Sequence, residues 1–165
     1  MEQLSTHSNI TQTELQNYWQ GHRRVKRRTI LAFPESELFT YSIGGKRPFS
    51  EMVKVFKTCT SWNHKGCNRK MLKLNELGHH SGSIVANTKN ELLKLWDELT
   101  ALINTLWLQI PTQRFQEIDK AFGEYKGQIS GLIQYWIDNE IHHRGQGYVY
   151  LRSLGIEPPA FWDRS

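Results

Sequence analysis

Residues 88 to 109 carry the strongest structural instruction in the chain. Thr88-Lys89-Asn90-Glu91 is a capping box, in which a threonine hydroxyl and a glutamate carboxylate satisfy each other's otherwise unpaired amides. Behind it, Leu92, Leu95, Trp96, Leu99, Leu102, Ile103 and Leu106 return every three or four residues, the period of one helix face. Pro111 then stops the helix. A helix with one apolar face must bury that face against other elements. The rest of the chain therefore has to supply partners.

It does so with three more helical stretches. Residues 11 to 33 offer Thr11 and Thr13 as capping oxygens and Glu14 in the first turn. Leu15, Tyr18, Trp19, His22, Val25, Ile30 and Phe33 then follow at helical spacing, and Pro34 ends the run. Residues 35 to 47 read as a connection with IGGKRP as its turn. A second helix is predicted over roughly 49 to 72, with Met52, Val55, Phe56, Cys59 and Trp62 on its apolar stripe. Residues 75 to 88 have loop composition, and residues 111 to 126 fit a short helix, a small hairpin or a loop. The last long helix spans about 127 to 153, and Leu154-Gly155-Ile156 resembles a glycine C-terminal cap. An extended tail follows, with Phe161 and Trp162 expected to pack back on the bundle. The expectation is an all-α, up-down four-helix bundle. It forms one domain over residues 1–165, with 1–10 as a flexible start.

The 165 residues are 38% hydrophobic and 22% charged, an ordinary globular composition. No apolar run approaches the roughly 20 residues of a membrane span, and MEQLSTHSNITQ lacks the features of a signal peptide. A cytoplasmic protein is expected, with no membrane partner. Cys59 and Cys67 would sit about 12 Å apart on one helix, too far for a disulfide. The basic cluster HRRVKRR, residues 22 to 28, raises nucleic acid as a partner. Val25 and the apolar TILAF that follows make it one face of a helix. Arginines on a solvated face account for it, and no nucleic-acid partner is expected.

The last helix carries the polar chemistry. Leu132, Trp136, Asn139, His143 and Gln146 share one stripe, while Tyr135, Asp138 and His142 share the next. If Trp136 faces the core, His143 does too, and His142 lies nearer solvent. Such an inward stripe is either a hydrogen-bonded structural seam or a ligand site in the bundle core. Arg144 is expected to pair on the surface with Glu140, one turn earlier. Gly145 and Gly147 are read as permitting close helix packing.

The stretch NEIHHRGQGYVYLRSLGIEPPAFWD resembles the C-terminal signature of the DinB (damage-inducible) family, and RPFSEMV resembles that family's opening of its second helix. These are small four-helix bundles related to bacillithiol- and mycothiol-dependent S-transferases. The resemblance implies a homodimer and a divalent metal, zinc or nickel, held by three histidines. One comes from the second helix and two from an HxxxH pair on the last. Three protein ligands leave a position open for water, thiol or substrate. In this chain the second member of the pair is His143, but the first falls on Asn139, and the second-helix position falls near Val55. Asp138 with His142, His22, or one of Glu51, His64, His79 and His80 offers a substitute donor. The reading that follows is a degenerate metal site, with a metal-free or altered small-molecule pocket lined by Trp136, Gln146 and Val55. The alternative is a metal-dependent thiol S-transferase or hydrolase working through an ion at His143.

Overall fold

The structure is a computed structural model that describes residues 10–54, 86–121 and 125–165. The predicted start over 1–10 (Ile10 excepted), Val55, Phe56, both cysteines and the remainder of the predicted second helix lie outside the described residues.

The described elements are predominantly helical, as an all-α bundle requires. Helix α1 spans Gln12–Ala32, α2 Glu35–Thr40, α3 Phe49–Val53, α4 Lys89–Trp107 and α5 Ile129–Ser153. Both predicted N-termini close with complete capping boxes, Thr11 with Glu14 and Thr88 with Glu91. Helix α5 ends in a Schellman motif. The Ile156 amide donates to the Leu151 carbonyl at 2.9 Å and the Gly155 amide to that of Arg152 at 3.0 Å. Gly155 takes φ +74°, a backbone state that glycine adopts without strain.

The two connections differ in how far their composition foretells them: the first holds an unpredicted helix, and the second combines two of the forms expected for it, a short helix and a small hairpin. The first contains α2, whose start has Pro34 before two glutamates in the first turn. Six residues are too few for a periodic pattern to show. The second, 111 to 126, forms a 3-10 helix over Thr112–Gln116. An antiparallel hairpin follows, β1 (Ile118–Ala121) on β2 (Tyr125–Gln128), in the register Ile118 to Gln128. The hairpin leads straight into α5, and the Ile129 amide bonds back to the Glu117 carbonyl at 3.0 Å.

Side-chain contacts set the helix directions. Gln16 meets Asn104, Arg23 meets Thr100 and Arg27 meets Asp97, so α4 runs antiparallel to α1. Leu15 shares a cluster with Ile133 and Ile137, whereas Ile30 shares one with Tyr150 and Leu151, so α1 and α5 run parallel. These two apolar clusters are the core. One joins Leu15, Trp19, Trp107, Phe115 and Trp136. The other joins Ile30, Phe33, Phe49, Leu92, Trp96 and Leu151. Burying each such side chain contributes about 1.5–3 kcal/mol.

Between the clusters, in chain order on both α1 and α5, lies a layer of buried charge. Arg23 is 1% exposed and Lys26 2%, so the basic run of α1 is only in part the solvated face that its composition predicts: Arg24 is exposed and Arg27 and Arg28 half-buried. Arg23 Nη1 donates to Glu140 Oε1 at 2.5 Å, Nε to Thr100 Oγ1 at 2.9 Å, and Nη2 to the Trp96 carbonyl at 3.2 Å. Its guanidinium also stacks 3.8 Å from the Trp96 ring centre. The second Glu140 oxygen accepts from Trp19 Nε1 at 3.1 Å. Glu140 is therefore bound across the bundle, and the predicted surface pair with Arg144 does not form. The other arginines of the run also find partners within the chain. Arg27 forks onto Asp97, while Arg24 and Arg28 hold the tail through the backbone carbonyls of Arg164, Asp163 and Ser165.

The tail is thus anchored by its main chain. Phe161 and Trp162, predicted to pack back, are 55% and 73% exposed. The two glycines of α5 also divide. Gly147 sits against the Phe49 ring, whereas Gly145 faces open space and serves no packing purpose.

Candidate functional site

The stripe of α5 that carries the expected site residues does turn inward. Trp136 and His143 are buried, Asn139 and Gln146 are half-buried, and His142 is exposed. Trp136 belongs to the lower apolar cluster and fixes the rotation of the helix. His143, two turns on, enters the charged layer.

There His143 Nδ1 lies 2.9 Å from Gln146 Oε1. An amide oxygen only accepts, so Nδ1 carries the proton and the lone pair stands on Nε2. Burial pushes the pKa of His143 below the usual histidine value. The Gln146 bond works against that shift, while Lys26, Arg47 and His142 add to it. The ring is consequently a neutral base at neutral pH, within electrostatic reach of two cations. Lys26 comes from the interior face of α1. Arg47 comes from the loop before α3, whose backbone is pinned to α5 by the Tyr150 hydroxyl at 3.2 Å from the Arg47 carbonyl. Neither cation was singled out from sequence. Lys26 shares a helix face with Trp19 and Arg23, and that spacing was the available signal.

Among the described residues the substitute donors do not gather into a ligand set with His143, although the His142 ring meets it edge-on with centroids 5.2 Å apart. Asp138 and His142 are both exposed. Asp138 borders a separate cavity of about 560 Å³ with Glu14, Tyr18 and Gln134, none of them an expected site residue. Glu51 pairs with Lys54 at 2.7 Å. His22 is buried but turned to Arg144, with Nη1 to Nδ1 at 3.0 Å. His64, His79 and His80, like Val55, lie outside the described residues. Among the described residues no three His, Cys, Asp or Glu side chains group around a point that could hold a metal.

His22 also makes a pH prediction. Burial, then the charges of Arg164 and Arg144, lower its pKa from 6.5 to about 4. Its folded pKa is depressed, so as pH falls from about 6.5 the unfolded chain takes up the proton first. Stability is lost until about pH 4. At about 1.4 kcal/mol per unit, that loss approaches roughly 3 kcal/mol. His22→Gln retains an acceptor for Arg144 without titrating. Urea midpoints measured at several pH values should show a shallower acid slope for this variant than for the wild type. Equal slopes would refute the assignment.

No helix among the described residues is long and apolar enough to cross a membrane. The family model described as "DinB family" matches residues 4–164. Among solved structures, a DinB-like protein (YjoA) from Bacillus subtilis aligns with a TM-score of 0.62 at 18% identity, covering 90% of this chain and 97% of that one. That likeness speaks to the fold. No curated protein sequence matches this chain.

Proposed function

Because the chain belongs to the DinB family, we propose that it is a helical-bundle binding protein whose pocket at His143 works without a divalent metal. The observation that carries this reading is the charge around His143. Lys26 and Arg47 both act on the imidazole, and a divalent cation placed there meets two positive charges. Asn139 stands where the family's metal-binding histidine would be. Its neutral amide oxygen is a weak donor compared with imidazole. The donor set among the described residues does not fit the family's metal.

What the site offers instead is a neutral hydrogen-bond acceptor, His143 Nε2, oriented by Gln146 and within electrostatic reach of Lys26 and Arg47. That combination suits a small molecule that presents a donor to the imidazole and negative charge to Lys26 and Arg47. Asn139 and Trp136 supply the wall one and two turns earlier. The reading includes a cytoplasmic location and a homodimer, and light scattering at two concentrations checks the dimer.

Elemental analysis of the purified protein should find well below one equivalent of zinc, nickel, manganese or iron. Chelator should leave the melting temperature unchanged. Stoichiometric metal that disappears in His143→Ala would overturn the proposal in favour of a metal-dependent thiol S-transferase or hydrolase. Val55→His combined with Asn139→His should create metal binding if both positions match the family's ligands.

A further inference from the structure

One residue beyond His143, and turned about 100° around α5, lies a second polar group that the His143 pocket does not use. Arg144 is 5% exposed, yet no carboxylate among the described residues stands within ion-pair distance of it. Glu140, one turn earlier, is committed to Arg23 and Trp19. Asp163 is taken by Arg28 and Glu157 by Arg152.

The neighbours of Arg144 deepen the imbalance. A guanidinium only donates, so His22 Nδ1 must accept, and the neutral imidazole keeps its proton on Nε2. That Nε2–H is buried without an acceptor. The hydroxyl of Tyr148, one turn after Arg144, is buried without a partner of hydrogen-bond geometry. Its neighbour is the Thr29 side chain, in a hydrogen bond that falls short of full geometry, and Thr29 gives its own hydroxyl proton to the Val25 carbonyl. The Tyr148 ring centre is 5.9 Å from Arg144 Cζ. Arg164 of the tail closes the group, 4.9 Å over the Tyr18 ring, whose edge meets His22 at a centroid distance of 4.5 Å. Donors and positive charge accumulate along this α1–α5 seam, and the acceptors are spent elsewhere. Buried charge in that state calls for a counter-ion.

We propose that the seam is a binding site, separate from the His143 pocket, for the oxyanion of a small ligand bearing a carboxylate or phosphate group. Arg144 is the charge partner, and the His22 Nε2–H and Tyr148 hydroxyl are the neutral donors. The tail is its cover. It crosses α1 at Gly21, where an added Cβ would lie 3.2 Å from the Arg164 side chain. It is held there by solvent-exposed bonds from Arg24 and Arg28. Exposed bonds of this kind release readily, which gives an anion a way in.

The test uses the full chain, with inorganic phosphate and succinate as separate probes against chloride at equal ionic strength. At about 20 mM, the anion that fits should raise the melting temperature above the chloride control, and the rise should saturate as a single site does. Calorimetry should show roughly tenfold weaker binding in Arg144→Gln and a smaller loss in Tyr148→Phe. Arg144→Gln should also melt higher than wild type without added anion, because it removes an uncompensated buried charge. A merely structural arginine would give the opposite sign. Binding of phosphate alone or succinate alone identifies the group recognised. The proposal is overturned if neither anion exceeds chloride, or if the variants respond as wild type does. Tyr148→Phe keeps the test decisive should Arg144→Gln fail to fold.

Discussion

Glu140→Ala is expected to destabilise the protein by about 3–5 kcal/mol, the usual result of removing one partner of a buried ion pair. For a chain of this length each kcal/mol lowers the melting temperature by about 2–4 °C, so a drop of roughly 6–20 °C should follow. The reason is specific to Arg23. Its guanidinium is 1% exposed and its strongest contact is the 2.5 Å bond to Glu140. Thr100 and Trp96 satisfy two of its donors but supply no charge. The same substitution also orphans Trp19 Nε1. An apolar replacement of both partners, Arg23→Met with Glu140→Leu, should recover most of the loss, because the attraction within a buried pair largely offsets its own desolvation. Urea unfolding of the single and double variants measures this directly. A Glu140→Ala cost below about 1 kcal/mol, the range of exposed pairs, would show that this layer is wet.

Gly147→Ala should cost about 3 kcal/mol, at the upper end for overpacking a core. A Cβ at this position would be driven into the Phe49 ring, 2.7 Å from Cζ and closer still to Cε2. The ring cannot easily yield, because it stacks on Phe33 with centroids 4.7 Å apart and planes 14° from parallel. Gly145→Ala, two residues earlier, meets nothing within 4 Å and should gain about 0.5–1 kcal/mol from helix propensity alone. Opposite signs at neighbouring glycines separate packing from propensity in one experiment. Phe49→Leu in the Gly147→Ala background should recover part of the loss, a coupling that a double-mutant cycle quantifies. Additive effects would mean that the two residues do not touch.

These positions show what the sequence reveals and where it stops. The capping boxes at Thr11 and Thr88 and the glycine stop at Gly155 are local devices, and each appears where its residues predict it. The inward turn of His143 follows from its spacing to Trp136 for the same reason. Pairing across the bundle is different. Glu140 has Arg144 one turn away on its own helix, yet binds Arg23, 117 residues distant. Intrahelical spacing cannot report a competitor that arrives through the fold. The tail fails for a related reason. Phe161 and Trp162 suggest burial by their hydrophobicity, but the anchors are main-chain carbonyls, which every residue possesses. At the candidate site, Lys26 and Arg47 act on His143 from other elements of the fold, a relation that spacing along α5 cannot report.

The parallel pairing of α1 with α5 also has a consequence for the newborn chain. Helix α4, the hairpin and α5 are consecutive and can associate soon after they emerge. Helix α1 is made first and must wait for its counterpart. At synthesis rates of about 5–20 residues per second, Glu140 follows Arg23 by roughly 6–23 s, given their separation of 117 residues. Throughout that interval Arg23 is expected to keep its charge in water, because Thr100 and Trp96 offer it acceptors but no carboxylate. The charges that later sit inside the bundle therefore keep an unfinished helix soluble, and discourage it from finding the wrong partner before the right one exists.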